Sequence, residues 1–271
     1  MTTWRNAEEP PLPPISAMGW LRVVLRGGVL AVVVFGCLVI LLLVRLVERP
    51  IWGMRRPITP FITQFVCRSA FFILGMGHRV CGVPLEGRGA QVSNHSSWLD
   101  IFALNARDRI YFVSKAEVAG WPGIGWLARA TGTVFIARDP AQARIQRQMF
   151  EDRLHGGHRL MFFPEGTSTD GKQVVPFKST LFAAFFTDAL REELSIQPVS
   201  VRFTSPVGAG DSYYGWWGDM SFGPHLLKVL ASSRQGAVHV IYHPPLKVSD
   251  FPDRKALARA CEEQVRAGVE E

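Results

Sequence analysis

The stretch AQVSNHSSWLDIFALNA, residues 90–106, decides how the chain is read. It opens as a short strand, AQVSN, and continues as SWLDIFALNA, whose apolar residues return at helical spacing. A strand passing into a helix through a short polar turn is the building unit of an α/β domain. Ser96 and Ser97 lie where that helix would begin, and either can cap it.

His95 and Asp100 flank the turn. Five positions along an ideal helix turn through about 500°, which leaves two side chains roughly 140° apart. The pair can meet only if His95 sits at or just before the helix start and Asp100, one turn in, reaches back. Neutral imidazole in that position can take a proton from a hydroxyl, and the carboxylate fixes the tautomer and steadies the imidazolium. No protein nucleophile is then needed, because the substrate's own hydroxyl attacks. The same residues also fit a loop-capping histidine beside an unrelated ion pair.

The alternation continues on both sides. HRVCGV, RIYFVS, TVFIA, RLMFFP, IQPVSVRF and AVHVIYH read as strands. GIGWLARA, PAQARIQRQMFEDRLH, STLFAAFFTDALREEL, PHLLKVLAS and DRKALARACEEQVRAG read as helices. The pattern predicts an α/β domain with a largely buried sheet over residues 79–271. In such sheets chemistry gathers where strands end.

Two more segments sit at such ends, and a third lies beside a predicted helix start. FFPEGTSTDG carries Glu165, Gly166, Thr167, Ser168, Thr169, Asp170 and Gly171. Its small and polar residues expose backbone N–H groups that can cradle an oxyanion or phosphate, although a decorated turn reads the same way. Glu165 can hold an acceptor hydroxyl or brace the loop. Arg138 closes GTVFIARD, where it can clamp an anionic head group or an acyl-carrier phosphate, or pair with Asp139 or Glu151. Lys178, in VPFKSTLF, can meet a carboxylate or phosphate or stay solvated.

Residues 27–44, GGVLAVVVFGCLVILLLV, contain no charge and are flanked by Arg22, Arg26, Arg45 and Arg49. A run of about 18 apolar residues just crosses a bilayer core, which predicts a transmembrane helix over residues 27–47. A hairpin re-entering one leaflet fits the same run. A cleaved signal is disfavoured, because charges rather than a small-residue cleavage site follow. Residues 1–26 form a proline-containing lead, with EEPPLPP read as flexible. Residues 48–78 read as an interfacial helical segment, carried by PFITQFVCRSAFFILGMG. Arg45, Arg49, Arg55 and Arg56 outnumber Arg5, Arg22 and Arg26, which places the main domain on the cytoplasmic side.

The formal net charge of +7 permits nucleic acid, an anionic membrane or an acidic substrate. No nucleic-acid motif accompanies it. The four cysteines are scattered, without CxxC pairs, as in a reduced compartment. GMGHRVCG lacks the spacing of a dinucleotide loop. A lipid esterase would need a nucleophile elbow, and no G-x-S-x-G is present. A non-catalytic, membrane-anchored lipid-binding protein is the remaining rival class.

Together NHSSWLD, GTVFIAR, FPEGTSTDG and IQPV resemble the four ordered blocks of the glycerolipid acyltransferase family, over about residues 93–199. The resemblance implies a mixed sheet flanked by helices. It implies His95 as base, Asp100 as its partner, and Arg138, Glu165, Gly166 and Thr167 in the acceptor site. It further implies a lysolipid acceptor, an acyl-carrier-protein or coenzyme A thioester as donor, and no metal or resident cofactor. Many lysophosphatidate members carry Arg where this chain has Ser168, and Asp170 follows closely. That exchange suits a zwitterionic amino-acid head group better than a phosphate dianion. The longer pattern SKAEVAGWPGIGWLA, VPFKSTLF, WWGDM and PHLL is similar to the lyso-ornithine lipid O-acyltransferase branch. The retained Arg138 keeps phosphate acceptors, as in 1-acylglycerol-3-phosphate acyltransferases, within that implication. The bacterial inner membrane is the expected location.

Overall fold

A computed structural model describes residues 3–12, 14–137, 143–187 and 190–270. Helix α1 (Ala17–Trp52) starts at Ser16, whose hydroxyl accepts the Gly19 N–H at 3.1 Å. It outruns the predicted 27–47 at both ends, because its flanking charges turn onto the protein. Arg26 donates to the carbonyls of Leu230 and Ser232 at 3.1 and 2.6 Å, and Arg22 to that of Ala231 at 3.3 Å. They thereby satisfy the open carbonyl end of α6 (Phe222–Ala231). At the other end, buried Glu48 accepts the N–H groups of Ile58 and Thr59 and the Thr59 hydroxyl. It caps α2 (Thr59–Leu74), which has no side-chain cap of its own. The α1 helix is long and apolar enough to cross a membrane. Both of its ends nevertheless rest on the same folded domain, and its outer face, including Val24, Val32, Leu43 and Leu46, is exposed.

The strands are β1 (Gly77–Cys81), β2 (Gly89–Ser93), β3 (Tyr111–Lys115), β4 (Val134–Ile136), β5 (Arg159–Phe162), β6 (Ser195–Thr204), β7 (Ala237–Tyr242) and β8 (Leu246–Lys247). Among the described residues they form one sheet in the order β1-β7-β6-β2-β5-β3-β4, with β8 antiparallel against the start of β6. The block from β6 to β4 is parallel, and β7 runs antiparallel to β6, so the sheet is mixed as expected. Alternation sends Leu160 and Phe162 to one face and Met161 to the other. The first face is covered by α5 (Ala143–His155) and α7 (Arg254–Glu270), the second by α2, α3 (Leu99–Arg107) and α6. The remaining helix, α4 (Ile124–Thr131), packs beside α1.

One predicted helix does not form. Over residues 179–194 the described chain holds a short 3-10 turn, Leu181–Phe185, and no α-helix. Phe182 and Phe185 bury completely against Phe162. The apolar spacing that resembled a helix face is that of a loop plugged into the core.

Candidate active site

The site lies at the C-terminal ends of β2 and β5. Asn94 fixes the end of β2: its side-chain amide donates to the Val201 carbonyl and accepts the Val201 N–H, both at 2.8 Å. His95 follows, ahead of α3. The Asp100 carboxylate, in the first turn of that helix, reaches back to His95 Nδ1 at 2.7 Å. The same Oδ2 accepts the N–H groups of Ser96 and Ser97 at 2.8 and 3.0 Å. Asp100 therefore holds the turn with its side chain, while the Ser97 hydroxyl accepts the Leu99 N–H at 3.3 Å at the helix start, as expected of a serine there. Asp100 is fully buried, whereas the His95 side chain stays 20% exposed. With Nδ1 turned to the carboxylate, Nε2 is the ring nitrogen left without a partner among the described residues. The ring stacks on Phe163, with centroids 4.1 Å apart and planes at 14°.

Glu165 braces the loop instead of facing an acceptor. Its Oε2 accepts the His95 N–H at 2.6 Å and its Oε1 the Val175 N–H at 2.9 Å. Burial pushes its carboxyl up to about 8, against the pull of the Val175 and His95 donors. Gly166 takes φ 69°, the left-handed region that favours glycine, and its N–H closes a turn onto the Phe163 carbonyl at 3.1 Å. That N–H is therefore occupied. The backbone N–H groups of Thr167 and Ser168 bind no partner among the described residues, and the Thr169 N–H ties the loop to the His95 carbonyl at 3.0 Å. Asp170 is buried and accepts the Lys172 N–H at 3.1 Å, a turn-closing bond. The Lys178 N–H holds the Pro164 carbonyl at 3.0 Å, but its ammonium is exposed and unpaired among the described residues. Arg138 follows β4 in sequence and lies outside the described residues.

Three tryptophans join the site from elsewhere. The Trp216 N–H donates to the Ser96 carbonyl at 2.8 Å. Trp4 is buried; its N–H donates to the Thr167 hydroxyl at 3.3 Å and its ring meets Trp217 edge-on at 6.1 Å. Trp217 Nε1 donates to the Ala7 carbonyl, Arg5 pairs with Asp219 at 2.9 Å, and the Asp219 N–H donates to Glu9 at 2.6 Å. The lead expected to be flexible thus lies docked over the 216–219 loop. The aromatic run YYGWWGDM signalled that loop, but nothing in the sequence paired it with Trp4. Phe163 was open to discovery, since strand alternation places it on the Met161 face.

A buried acid steering a partly exposed imidazole, beside a strand-end loop with open N–H groups, is the equipment of an enzyme that activates a hydroxyl for acyl transfer. The comparisons agree, and the chain belongs to the acyltransferase family. The family model described as Acyltransferase matches residues 80–202. The lyso-ornithine lipid O-acyltransferase of Rhodobacter capsulatus is 57% identical over 266 residues, 98% of this chain and 96% of that protein. The 1-acyl-sn-glycerol-3-phosphate acyltransferase of Neisseria meningitidis is 32% identical over 192 residues, 69% of this chain and 71% of that protein. The crystal structure of the 1-acyl-sn-glycerophosphate acyltransferase of Thermotoga maritima shares the fold, with a TM-score of 0.66 and 21% identity over 93% of this chain and 95% of that one. Such homologues imply a lysolipid acceptor and an acyl donor.

Proposed function

We propose that the protein transfers a fatty acyl group from an acyl thioester to the hydroxyl of lyso-ornithine lipid, with His95 as general base. The observation that carries the chemistry is the 2.7 Å contact between His95 Nδ1 and Asp100. Nε2 takes the acceptor hydroxyl's proton as that oxygen attacks the thioester carbonyl. The carbon–sulfur bond breaks, an ester forms, and the proton leaves with the thiol. The Thr167 and Ser168 N–H groups are the donors we assign to the tetrahedral oxyanion. The reaction needs no metal or resident cofactor, and the donor is acyl-carrier protein or coenzyme A.

The acceptor rests on the Rhodobacter relative and on Ser168, which leaves the loop without the Arg of many lysophosphatidate enzymes. The Neisseria relative supports a second reading, a 1-acylglycerol-3-phosphate acceptor, for which Arg138 would supply charge. Equimolar lyso-ornithine lipid and lysophosphatidate, offered with one acyl thioester, decide between them. Dominant ornithine-lipid product supports the first reading, and dominant phosphatidate overturns it.

The apolar outer face of α1 associates the protein with a membrane. We assign it to the bacterial inner membrane, with the catalytic domain on the cytoplasmic side. Because both ends of α1 bind the domain, its outer face and that of α2 enter one leaflet in this reading, with exposed Trp121 and Trp126 as interfacial anchors.

A further inference from the structure

The parallel strands begin at the edge of the sheet opposite His95, and a second group of charges gathers there. His158, just before β5, stacks on Tyr111 with centroids 4.0 Å apart and donates from Nε2 to the Met54 carbonyl at 2.9 Å. Around this corner Arg45, Arg49, Arg56, Arg129 and Arg153 line two adjoining hollows of about 560 and 340 Å³.

The cluster is built into the fold. Arg56 donates to the Ala130 carbonyl at 2.6 Å, and its guanidinium fills the space left by Gly132, where a Cβ would fall 2.9 Å from Cζ. Burial and the neighbouring Arg45 charge push Arg56 below its ordinary value. Arg153 donates to His158 Nδ1 at 3.1 Å, and Arg129 to the Ala119 carbonyl at 2.5 Å. Among the described residues the one carboxylate paired with the cluster is Glu48, bonded to Arg45 and otherwise committed to capping α2. Arg49 is exposed and has no partner among them. Cations held this close repel one another unless an anion sits among them.

The larger hollow has a second wall of opposite character. Val39, Leu42, Leu43 and Leu46, at i, i+3, i+4 and i+7 of α1, form an exposed apolar stripe running to the arginines. A soluble anion would use the arginines and leave the stripe in water. An acidic protein would have to cover apolar surface that faces lipid. A molecule with an acyl chain and an anionic phosphate satisfies both walls.

We propose that this groove binds an anionic phospholipid of the bilayer, with its chain along the α1 stripe and its phosphate among Arg45, Arg49, Arg56 and Arg129. The site is separate from the acyl-transfer centre, and it ties residence on the membrane to anionic lipid content.

The test uses the full chain carrying His95→Ala, so that binding is read without turnover. Flotation compares vesicles of phosphatidylcholine with vesicles containing phosphatidylglycerol, with and without inorganic phosphate. Tighter binding to phosphatidylglycerol is expected. An added Arg49→Ala, at an exposed side chain without a partner, should weaken it about five-fold at low salt. In the otherwise wild-type chain, R49A should leave turnover on detergent-dispersed substrate unchanged. Equal binding to both vesicles, or equal phosphatidylglycerol binding with and without R49A, overturns the proposal. Displacement by millimolar phosphate alone overturns it in favour of a soluble anion. So does an R49A protein that loses affinity for acyl-carrier protein while keeping its affinity for anionic vesicles.

Discussion

Glu165 and His95 are joined through the backbone: the carboxylate accepts the histidine's own N–H at 2.6 Å, while its other oxygen holds Val175. The FPEGT loop thus sets the position of the base from two sides, Glu165 through its backbone N–H and Phe163 through its ring. Glu165 is a positioning residue.

Replacing it by glutamine sets an amide NH2 against one of two backbone donors. Unfolding free energy should fall by about 1–3 kcal/mol, the cost of a buried donor without an acceptor. The pH dependence gives a sharper readout. The carboxyl sits at about 8 in the folded chain against an ordinary 4.5. The unfolded chain therefore releases this proton first as pH rises. Glu165's contribution is full below about pH 4.5 and is lost progressively up to about pH 8. Urea melts in detergent should show wild type losing ground to E165Q across that window. Parallel pH profiles would contradict this.

Asp100→Ala removes the one oxygen, Oδ2, that accepts from His95 Nδ1 and from the Ser96 and Ser97 N–H groups. Turnover should drop by roughly 10²–10⁴ through loss of tautomer control and imidazolium stabilisation. The lost cap should cost about 1–2 kcal/mol of stability. Steady-state rates and thermal melts on the same preparation separate the two effects.

Trp4 closes the lead over Thr167, and its buried indole N–H has no partner among the described residues. Trp4→Ala should raise KM for the lysolipid several-fold while leaving kcat and the donor KM near wild type. A fall in kcat alone would mean that the lead only supports the fold. Deletion of residues 1–12 should reproduce the Trp4→Ala phenotype.

Ser168→Arg restores the side chain common in lysophosphatidate members of the family. The ratio of kcat/KM for lysophosphatidate over lyso-ornithine lipid should rise by about ten-fold, the scale of one charge-assisted hydrogen bond. An unchanged ratio removes Ser168 from acceptor choice.

The parts of the fold legible in the sequence are those with local periodicity. Strand alternation around Leu160–Phe162 and the strand–turn–helix of residues 90–106 each carry their pattern within a few residues. The meeting of His95 with Asp100 was legible for the same reason: their spacing admits contact only across a helix start. Contacts spanning the chain left no such trace. Glu48 capping α2, Arg26 closing α6 and Trp4 reaching Thr167 each depend on tertiary placement. The false helix at 179–194 shows the converse limit, since buried loop aromatics can copy helical spacing. Glu165 was recognised as a site residue, but its choice between holding an acceptor and bracing a loop was decided only by the position of His95 N–H.

The most direct test compares wild type and His95→Ala, both purified in detergent, given a radiolabelled acyl thioester and lyso-ornithine lipid. Wild type should form diacyl ornithine lipid, and the folded variant should form none above the uncatalysed background. Diacyl product from His95→Ala at the wild-type rate, or free fatty acid as the main product of wild type, would contradict a histidine base delivering the acyl group to a lipid hydroxyl.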